Sequence, residues 1–271
     1  MQPAEPDVDQ PAPDSPHPGG AEYEAWLQLN GKRIRRRRRF WRMLPSAPRC
    51  KMCTRPFGPP FGPVMQLVGL GPWPGNPRYC SGCFKDLYRK RGGAEIECTL
   101  FFADVRGSTT LAETMRPSDF RGLLDRFYAT AADVLVEREA VVDKFAGDEV
   151  VGIFVPALSE NHARQAIDAG RELLRETGHE TDTPWIPIGI GVNTGTAYVG
   201  AVGTAEHVEF TALGDAVNVT ARLASAAGTG ELLVSDATAR AAGLDESGRE
   251  HRRLDLKGKT QSTDVIVLGS R

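Results

Sequence analysis

The sequence of 271 residues lacks long hydrophobic runs and has few cysteines and histidines. No apolar run approaches the roughly 20 residues needed to cross a bilayer, and the N-terminus lacks the apolar core of a secretory signal. We therefore expect a cytoplasmic protein without a transmembrane segment or signal peptide. Five cysteines in such a protein favour metal binding or free thiols over a disulfide framework. The five histidines show no metal-ligand or catalytic-triad spacing, and we assign them no role.

The formal net charge of −2 conceals two segments of opposite charge. Residues 1–93 contain 16 Lys and Arg against 7 Asp and Glu, together with 15 of the 19 prolines. Residues 94–271 contain 17 Lys and Arg against 28 Asp and Glu. The first 20 residues hold six prolines and no aromatic side chain, so they cannot bury enough apolar surface to offset chain ordering. We predict four parts: a disordered tail over 1–20, a basic helical arm over 21–49, a cysteine-containing module over 50–93 and a regular α+β domain over 94–271.

Five consecutive arginines at residues 35–39 form the centre of the basic arm, and Phe40 and Trp41 follow them. One interpretation is an electrostatic arm for nucleic acid or anionic lipid, with the two aromatic residues as anchors. A localisation signal is a second. The third is a basic helix face that contacts the acidic domain of its own or a partner chain, which the opposite charge of residues 94–271 favours. A regulatory partner or an anionic surface for residues 32–44 stays open, whereas nucleic acid is disfavoured.

Four of the five cysteines occur as two Cys-x-x-Cys pairs, Cys50 with Cys53 and Cys80 with Cys83. Zinc needs four thiolates at tetrahedral corners, and each pair can present two sulfurs to one ion. The residues between the pairs are rich in proline and glycine, and a loop-rich segment of this kind is usually folded by its metal. We predict a structural zinc site followed by a short helix; the alternative is unpaired thiols in a disordered linker. Cys98 is predicted to be a buried small residue.

From residue 93 onward, strands and amphipathic helices alternate. The order strand–helix–strand–strand–helix–strand indicates an α+β fold with a ferredoxin-like βαββαβ core and an extra hairpin. The predicted helices cover 108–115, 117–137, 157–178, 215–226 and 236–242. The predicted strands cover 95–103, 140–145, 150–155, 186–192, 196–202, 208–213, 231–235, 252–257 and 265–268, with a hairpin turn at 193–195.

Two acidic residues stand at turns where a metal ion could hold a phosphate. Asp104 ends the first long strand and enters a turn of small residues that leads into a helix. Backbone N–H groups at such a helix N-terminus point at an anion. Asp148 lies in the turn of the next hairpin, so the two carboxylates could share two divalent ions. Ordinary capping by Asp104 and a plain β-turn at Asp148 are the alternatives.

A helix farther along the chain places an amide and a guanidinium on one face. Asn218 and Arg222 are four residues apart, and their neighbours Val217, Val219 and Ala221 are apolar. Ordinary solvated side chains are uncommon in such surroundings, so a role in ligand binding is one interpretation. A surface salt bridge of Arg222 is the alternative.

Four segments, in their order along the chain, resemble the class III nucleotidyl cyclase catalytic domain. The resemblance covers roughly residues 94–270, includes the closing Leu-Lys-Gly-Lys, and does not extend to the first 93 residues. The four segments are Phe-Ala-Asp-Val-Arg-Gly-Ser-Thr, Lys-Phe-Ala-Gly-Asp-Glu, Ile-Gly-Ile-Gly-Val-Asn-Thr-Gly and Leu-Gly-Asp-Ala-Val-Asn-Val-Thr-Ala-Arg-Leu. A diguanylate cyclase shares a palm-like fold and a Gly-Asp-Glu turn, but the helix with Asn218 and Arg222 disfavours it.

The resemblance implies an adenylate cyclase that converts ATP to 3′,5′-cyclic AMP and pyrophosphate with two Mg²⁺ or Mn²⁺ ions. It implies that Asp104 and Asp148 bind these metals with help from the Val105 carbonyl. It also implies that Asn218 orients the ribose and that Arg222 stabilises charge on the α-phosphoryl group. The implied substrate-binding residues are Lys144 and Thr211 for the purine, Lys257 or Lys259 for the β- and γ-phosphates, and the turn residues Arg106, Gly107, Ser108 and Thr109.

The same resemblance implies a homodimer, because the metal-binding acids and the other groups of one site come from different chains in this family. Lys144 with Thr211 favours ATP, since guanylyl cyclases typically have Glu and Cys there. Many members have Asp in place of Thr211, and a bacterial-type subclass that includes bicarbonate-responsive enzymes has Thr. A guanylate cyclase is the alternative activity. A catalytically silent cyclase-like module, which binds nucleic acid or membrane through the basic arm and zinc segment, is the alternative of a different class.

Overall fold

The computed structural model describes residues 35–50, 52–73, 76–83, 93–181, 183–203, 208–255 and 262–269. Several predictions made from the sequence lie outside these residues. They concern the disordered tail over 1–20, the first part of the basic arm, the helix after Cys83, and Lys257 with Lys259. Within the described ranges, no helix is both long enough and apolar enough to cross a membrane.

The N-terminal part consists of short elements around the cysteine pairs. The elements are α1 (residues 35–42), α2 (Gly62–Leu67), β1 (Pro72–Trp73) and β2 (Asn76–Cys80). The two strands pair antiparallel. Helix α2 has a proline in its first turn, where the missing N–H would have no helical partner in any case. Proline and glycine thus shape a segment that has little regular structure of its own.

The larger domain forms one mixed sheet covered by helices. Its elements are β3 (Gly93–Val105), α3 (Ser108–Thr114), α4 (Pro117–Glu137), β4 (Val141–Ala146), β5 (Glu149–Phe154), α5 (His162–Glu176), β6 (Ile188–Gly203), β7 (Val208–Leu213), α6 (Asp215–Ala226), β8 (Glu231–Ser235), α7 (Asp236–Ala242), β9 (Glu250–Leu254) and β10 (Thr263–Gly269). The strand order is β4-β5-β3-β6-β8-β10-β9, and β7 pairs with β6 outside this path. Only the β6–β8 pair among these described strands is parallel. The predicted α+β fold with a βαββαβ core is confirmed.

The central strand β3 is buried on both faces. Phe101 and Ala103 belong to the large core cluster under α4, α5 and α7. Leu100 and Phe102 belong to clusters on the opposite face, where β7 and α6 pack. Because successive residues of a strand point to opposite faces, a strand covered on both sides is apolar at consecutive positions. Packing on both faces therefore fixes the position of β3 and of Asp104 near its C-terminal end.

The predicted hairpin with a turn at 193–195 is wrong. A single strand, β6, runs through these residues and pairs continuously with β3. The Asn193 amide donates to the Ala216 carbonyl at 3.2 Å, and the Thr194 hydroxyl shares a 2.7 Å hydrogen bond with Thr99 of β3. These tertiary partners satisfy polar side chains that otherwise favour turns. The extra hairpin exists, but it joins β6 to β7.

Helix α1 lies against the larger domain, and Arg38 is its anchor. Arg38 is 0% exposed, and its guanidinium donates to the carbonyls of Met52 and Ala140, both at 2.7 Å, and to Glu139 at 3.2 Å. Arg42 donates to the same carboxylate at 2.7 Å. A buried guanidinium is tolerated because these acceptors replace its water. The basic helix thus contacts the acidic domain of its own chain, which is the third interpretation drawn from the sequence.

Helix α6 approaches β6 closely at Gly191, where a side chain does not fit. A Cβ there would lie 2.8 Å from Leu223 Cβ and from the Thr220 carbonyl oxygen, and closer still to the Ala224 nitrogen. We expect Gly191→Ala to lower the free energy of unfolding by about 1–3 kcal/mol, because α6 must move off the sheet. Urea unfolding measures this loss.

A matched control is Gly122→Ala on the exposed face of α4. No described atom lies within 4 Å of a Cβ added at Gly122. The change should raise stability by about 0.5–1 kcal/mol, because alanine is the better helix former. Equal effects of the two substitutions would contradict the close approach of α6 to the sheet.

Candidate active site

Asp104 and Asp148 lie close together at one end of the sheet. Asp104 is the penultimate residue of β3 and pairs in register with Glu149 of β5. Asp148 occupies the β4–β5 turn, where Gly147 adopts the left-handed conformation with φ 64°. The backbone carbonyl of Asp148 accepts a hydrogen bond from the Val105 N–H at 3.2 Å. The register of β3 and β5 thus gathers carboxyl groups that are far apart in the chain.

The three acids at this end of the sheet repel one another. Burial raises the pKa of Asp104 above its usual value; Arg106 opposes this rise and Asp148 adds to it. Burial and the charges of Asp104 and Asp148 raise the pKa of Glu149 to about 7, against the opposing charge of Lys144. A divalent cation relieves such repulsion, and carboxylate oxygens are the ligands that Mg²⁺ and Mn²⁺ prefer. The residues present therefore fit the expected metal site.

Arg106 joins the end of β3 to the end of α6. Its guanidinium forms an ion pair with Asp104 and donates to the carbonyls of Ser225 at 3.0 Å and Ala227 at 3.3 Å. Carbonyls at the C-terminal end of a helix have no partner within the helix, so the arginine satisfies them. Through this side chain, the position of Asp104 and the position of α6 depend on each other.

The turn after Arg106 has the geometry expected from its small residues. Gly107 adopts the left-handed conformation with φ 66°, which glycine reaches without strain. Helix α3 then begins at Ser108 and continues through Thr109. The first N–H groups of a helix have no acceptor within it. The predicted turn of small residues between a strand and a helix is therefore present.

Tyr128 of α4 contacts the β4–β5 turn, and it was not among the residues predicted to belong to the site. Its hydroxyl donates to the Gly147 carbonyl, and its ring centroid lies 4.8 Å from that of Phe145. Because Gly147 immediately precedes Asp148, this contact helps to hold the second carboxylate in place. No motif could have revealed it, since the acceptor is a backbone carbonyl whose position depends on the fold.

Asn218 and Arg222 lie on α6, as predicted. Asn218 is exposed and Arg222 is half-buried, while the opposite face of the helix buries Thr220 and Leu223. In the part of the chain that the structure describes, no hydrogen bond or ion pair engages the side chain of Asn218 or Arg222. The alternative of a surface salt bridge for Arg222 is therefore not observed there, and both polar groups are accessible to a ligand.

Lys144 and Thr211 meet at Asp143, a residue that the sequence analysis did not single out. The Thr211 hydroxyl donates to Asp143 Oδ2 at 2.8 Å. Lys144 Nζ lies 3.9 Å from the same oxygen. The fold thus brings together the two residues that the resemblance links to the purine. Asp143 follows the apolar run Ala-Val-Val, and a carboxylate in that position was the sequence feature that could have marked it as a candidate site residue.

Comparison with known proteins identifies the family of the larger domain. Residues 93–269 match the model of the adenylate and guanylate cyclase catalytic domain. The chain belongs to this family.

The cyclase domain is similar to proteins named for either nucleotide. It is 29% identical over 184 residues to the "Adenylate cyclase, terminal-differentiation specific" of Dictyostelium discoideum, a match covering 64% of this chain and 9% of that protein. The crystal structure of the guanylyl cyclase Cya2 is 30% identical with a TM-score of 0.59, covering 66% of this chain and 94% of that one. That of the adenylyl cyclase CyaB from P. aeruginosa is 27% identical with a TM-score of 0.54, covering 65% and 95%.

The four paired cysteines lie outside the matched cyclase domain and gather in one place. The Sγ atoms of Cys50, Cys53, Cys80 and Cys83 are buried and all lie within 4.8 Å of one another. Cys53 Sγ and Cys80 Sγ are 3.7 Å apart. With Zn–S bonds of about 2.3 Å, two sulfurs at tetrahedral corners are about 3.8 Å apart. The arrangement therefore fits a zinc ion. The alternative, unpaired thiols in a disordered linker, does not match the clustered cysteines of the structure.

Hydrogen-bond donors point at these sulfurs from several sides. The N–H of Cys80 donates to Cys50 Sγ at 3.2 Å, and the N–H of Cys83 donates to Cys80 Sγ at 3.4 Å. The Arg55 guanidinium donates to Cys80 Sγ at 3.1 Å. Hydrogen bonds within the cluster hold the pKa of Cys80 well below its ordinary value and lower that of Cys53 to about 7. Burial raises the pKa of Cys50, and hydrogen bonds to the other three cysteines raise that of Cys83. The N–H and guanidinium donors therefore favour a thiolate at Cys80, and thiolate is the form that binds zinc.

Proposed function

We propose that this protein is an adenylate cyclase that converts ATP to 3′,5′-cyclic AMP and pyrophosphate. The observation that carries the proposal is the convergence of Asp104 and Asp148 at the turn after β3, within a domain of the cyclase family. The meeting of Lys144 and Thr211 supports ATP, because an ammonium donor and a hydroxyl acceptor match the hydrogen-bonding edge of adenine.

In this proposal, Asp104 and Asp148 hold two Mg²⁺ or Mn²⁺ ions together with the Val105 carbonyl. Such ions, when bound, stabilise charge on the phosphates and lower the pKa of the ribose 3′-hydroxyl. The backbone N–H groups of the turn from Arg106 to Thr109 bind phosphate oxygens at the start of α3. Burial, with a smaller contribution from the charge of Asp148, raises the pKa of Asp104, and a bound cation would offset both effects, which supports a cation-binding role.

Asn218 and Arg222 act on the sugar and the reacting phosphate. Asn218 orients the ribose so that its 3′-oxygen lies in line with the α-phosphorus. A bond forms between these two atoms, the bond from the α-phosphorus to the bridging oxygen of pyrophosphate breaks, and the hydroxyl proton passes to solvent. Arg222 stabilises the charge that develops on the α-phosphoryl oxygens. Lys257, which lies outside the described residues, is proposed for the β- and γ-phosphates.

A nucleotide assay on the full chain tests the activity. Purified protein with Mn²⁺ and either ATP or GTP should yield cyclic AMP from ATP, as measured by chromatography of the products. Cyclic GMP as the main product would establish the alternative, a guanylate cyclase, which the similarity to Cya2 supports. No cyclic product from either nucleotide would contradict the proposed activity and leave the silent signalling module.

We propose further that the active form is a homodimer with two composite sites. Arg222 has no side-chain partner in the described chain, whereas Asp104 is engaged by Arg106 of the same chain. This difference supports a site in which Arg222 reaches a substrate held by the acids of the other chain. Symmetric pairing of two identical chains then forms two equivalent sites.

Complementation between inactive chains tests the composite site. Asp104→Ala and Arg222→Ala chains should each be inactive, since each lacks one side of both sites. Mixed one to one, they should recover up to about a quarter of the wild-type activity, because about half of the dimers are mixed and each mixed dimer has one intact site. The measurement is cyclic AMP formation after the two chains have been mixed and allowed to exchange.

The matched control mixes Asp104→Ala with Asp148→Ala. Both residues belong to the same side of the site, so no mixed dimer has an intact site and no activity should return. Absence of recovery in the first mixture, with mixed dimers demonstrated by differently tagged chains, would argue against shared sites.

We also propose that the cysteine cluster holds a structural zinc ion. All four ligand positions are filled by Cys50, Cys53, Cys80 and Cys83, so no position is open for a substrate. The cluster is buried and lies in a segment with two short strands and little other regular structure. Binding of the ion therefore supplies free energy of folding that the small apolar core of this segment lacks.

A further inference from the structure

Asp143 occupies a β-bulge of β4, directly before Lys144, where β4 pairs with β5. In the pairing of β4 with β5, Val142 lies opposite Gly152 and Lys144 lies opposite Val151. Asp143 has no counterpart on β5 and is therefore the additional residue of the bulge. A bulge re-aims side chains, and bulges are frequent beside active sites. This one turns the Asp143 carboxylate inward, where it is 4% exposed, while the Lys144 side chain is 52% exposed.

The buried carboxylate of Asp143 determines where the hydroxyl proton of Thr211 lies. Asp143 Oδ2 accepts the hydrogen bond from Thr211 Oγ1 at 2.8 Å. A carboxylate can only accept, so the single proton of the hydroxyl is directed at Asp143. The hydroxyl oxygen retains lone pairs for a second partner. Thr211 therefore offers a ligand an acceptor and no donor.

We propose that Asp143 is a positioning residue that makes the site selective for adenine by fixing Thr211 as an acceptor. The proposal rests on the proposed cyclase function and on contact of Lys144 and Thr211 with the purine. The exocyclic amine of adenine donates, so it matches the Thr211 oxygen. Guanine carries a carbonyl oxygen where adenine carries its exocyclic amine. This carbonyl and the Thr211 oxygen are both acceptors, so no hydrogen bond forms between them.

The second purine-facing group strengthens the same selection. Lys144 offers only donors, which match the unprotonated ring nitrogen N1 of adenine and oppose the N1–H of guanine. Its ammonium lies 3.9 Å from Asp143 Oδ2, the oxygen that also binds Thr211. A donor, Lys144, and an acceptor, Thr211, thus lie beside the same carboxylate oxygen, and Asp143 fixes the hydrogen-bonding role of Thr211.

The test is Asp143→Asn, followed by measurement of kcat/KM for ATP and for GTP. An asparagine amide can turn its N–H₂ toward the Thr211 oxygen, which frees the hydroxyl proton to point at the base. The ratio of kcat/KM for ATP over GTP should fall by at least about tenfold. Competition of ATP and GTP against a fluorescent ATP analogue measures the preference for ATP over GTP in binding alone, as the ratio of their dissociation constants.

Two further comparisons separate positioning from a merely structural role. In a Thr211→Ala background, Asp143→Asn should leave the ratio unchanged, since no hydroxyl remains to be turned. Asp119→Asn, on the surface of α4 and ion-paired with Arg116 at 2.8 Å, should leave it unchanged in the native background. If Asp143→Asn does not fold, Asp143→Ala removes the acceptor without adding a donor and should also lower the ratio.

The outcomes are distinct for the two proposals. A folded Asp143→Asn protein that keeps the native ratio, or one whose ratio changes equally without Thr211, overturns the role of Asp143. A wild-type protein that makes no cyclic nucleotide overturns the proposed function. The competition binding experiment still decides on Asp143 in that case, because it does not require turnover.

Discussion

Replacement of Asp104 by asparagine should lower cyclase turnover by about 10³-fold or more. Asparagine has the same size but cannot carry the charge that holds a divalent cation. Burial raises the pKa of Asp104, so its charge is disfavoured in the folded chain and its removal should leave the fold intact. The measurement is cyclic AMP formation under saturating ATP and Mn²⁺, with thermal unfolding of the same preparation.

The control for this prediction is Asp119→Asn. Asp119 is an exposed acid on α4. Its side chain forms an ion pair with Arg116 and accepts a hydrogen bond from Ser118, and neither residue belongs to the turns that contain the proposed metal ligands. Its replacement changes the net charge by the same amount and should leave turnover within about a factor of two, as expected for a surface change. An Asp104→Asn protein as active as this control would remove Asp104 from the metal site.

Loss of the zinc ligands should unfold the N-terminal module. Structural zinc contributes about 10–16 kcal/mol of binding free energy in small zinc-binding peptides, far more than a segment of this size gains from its core. Cys53→Ser and Cys80→Ser should each abolish binding of about one zinc ion per chain and expose the module to protease. Metal analysis and limited proteolysis of the purified full chain measure the two effects.

Cys98→Ala provides the control for the zinc prediction. Cys98 is buried in β3, away from the cluster, and burial raises the pKa of its thiol to about 12. Its replacement removes one cysteine without removing a ligand, so the zinc content should remain. Retention of zinc by the Cys53→Ser protein, or a wild-type protein that takes up none when zinc is supplied, would refute the structural site.

The proposed zinc module contacts the cyclase domain through α1. Arg38 connects Met52, beside Cys53, to Glu139 and Ala140, which immediately precede β4. An unfolded module would release this guanidinium and leave its acceptors to water. Strand β4 leads into the turn that contains Asp148, so Arg38 and β4 connect the cysteine module to the candidate site.

Much of the fold could be predicted from local pattern. Helix α4 has the predicted bounds, Pro117–Glu137, because a proline opens it and its apolar residues repeat at helical spacing. The turn containing Asp148 was also recognisable, since glycine and aspartate suit tight turns. The prediction of a hairpin at 193–195 was wrong for a related reason. Its residues favour turns, but partners on β3 and α6 hold them in a continuous strand.

The sequence by itself determined the family of this protein and its candidate metal-binding residues, which are the acids Asp104 and Asp148 and the four paired cysteines. These features reside in residue type and short spacing. Only the tertiary structure decided that Arg38 is buried, that β6 is one strand, and that Asp143 directs Thr211. Each of these features depends on strand register and on partners distant in the chain. A bulge of one residue changes which side chains meet, and the local sequence pattern does not reveal it.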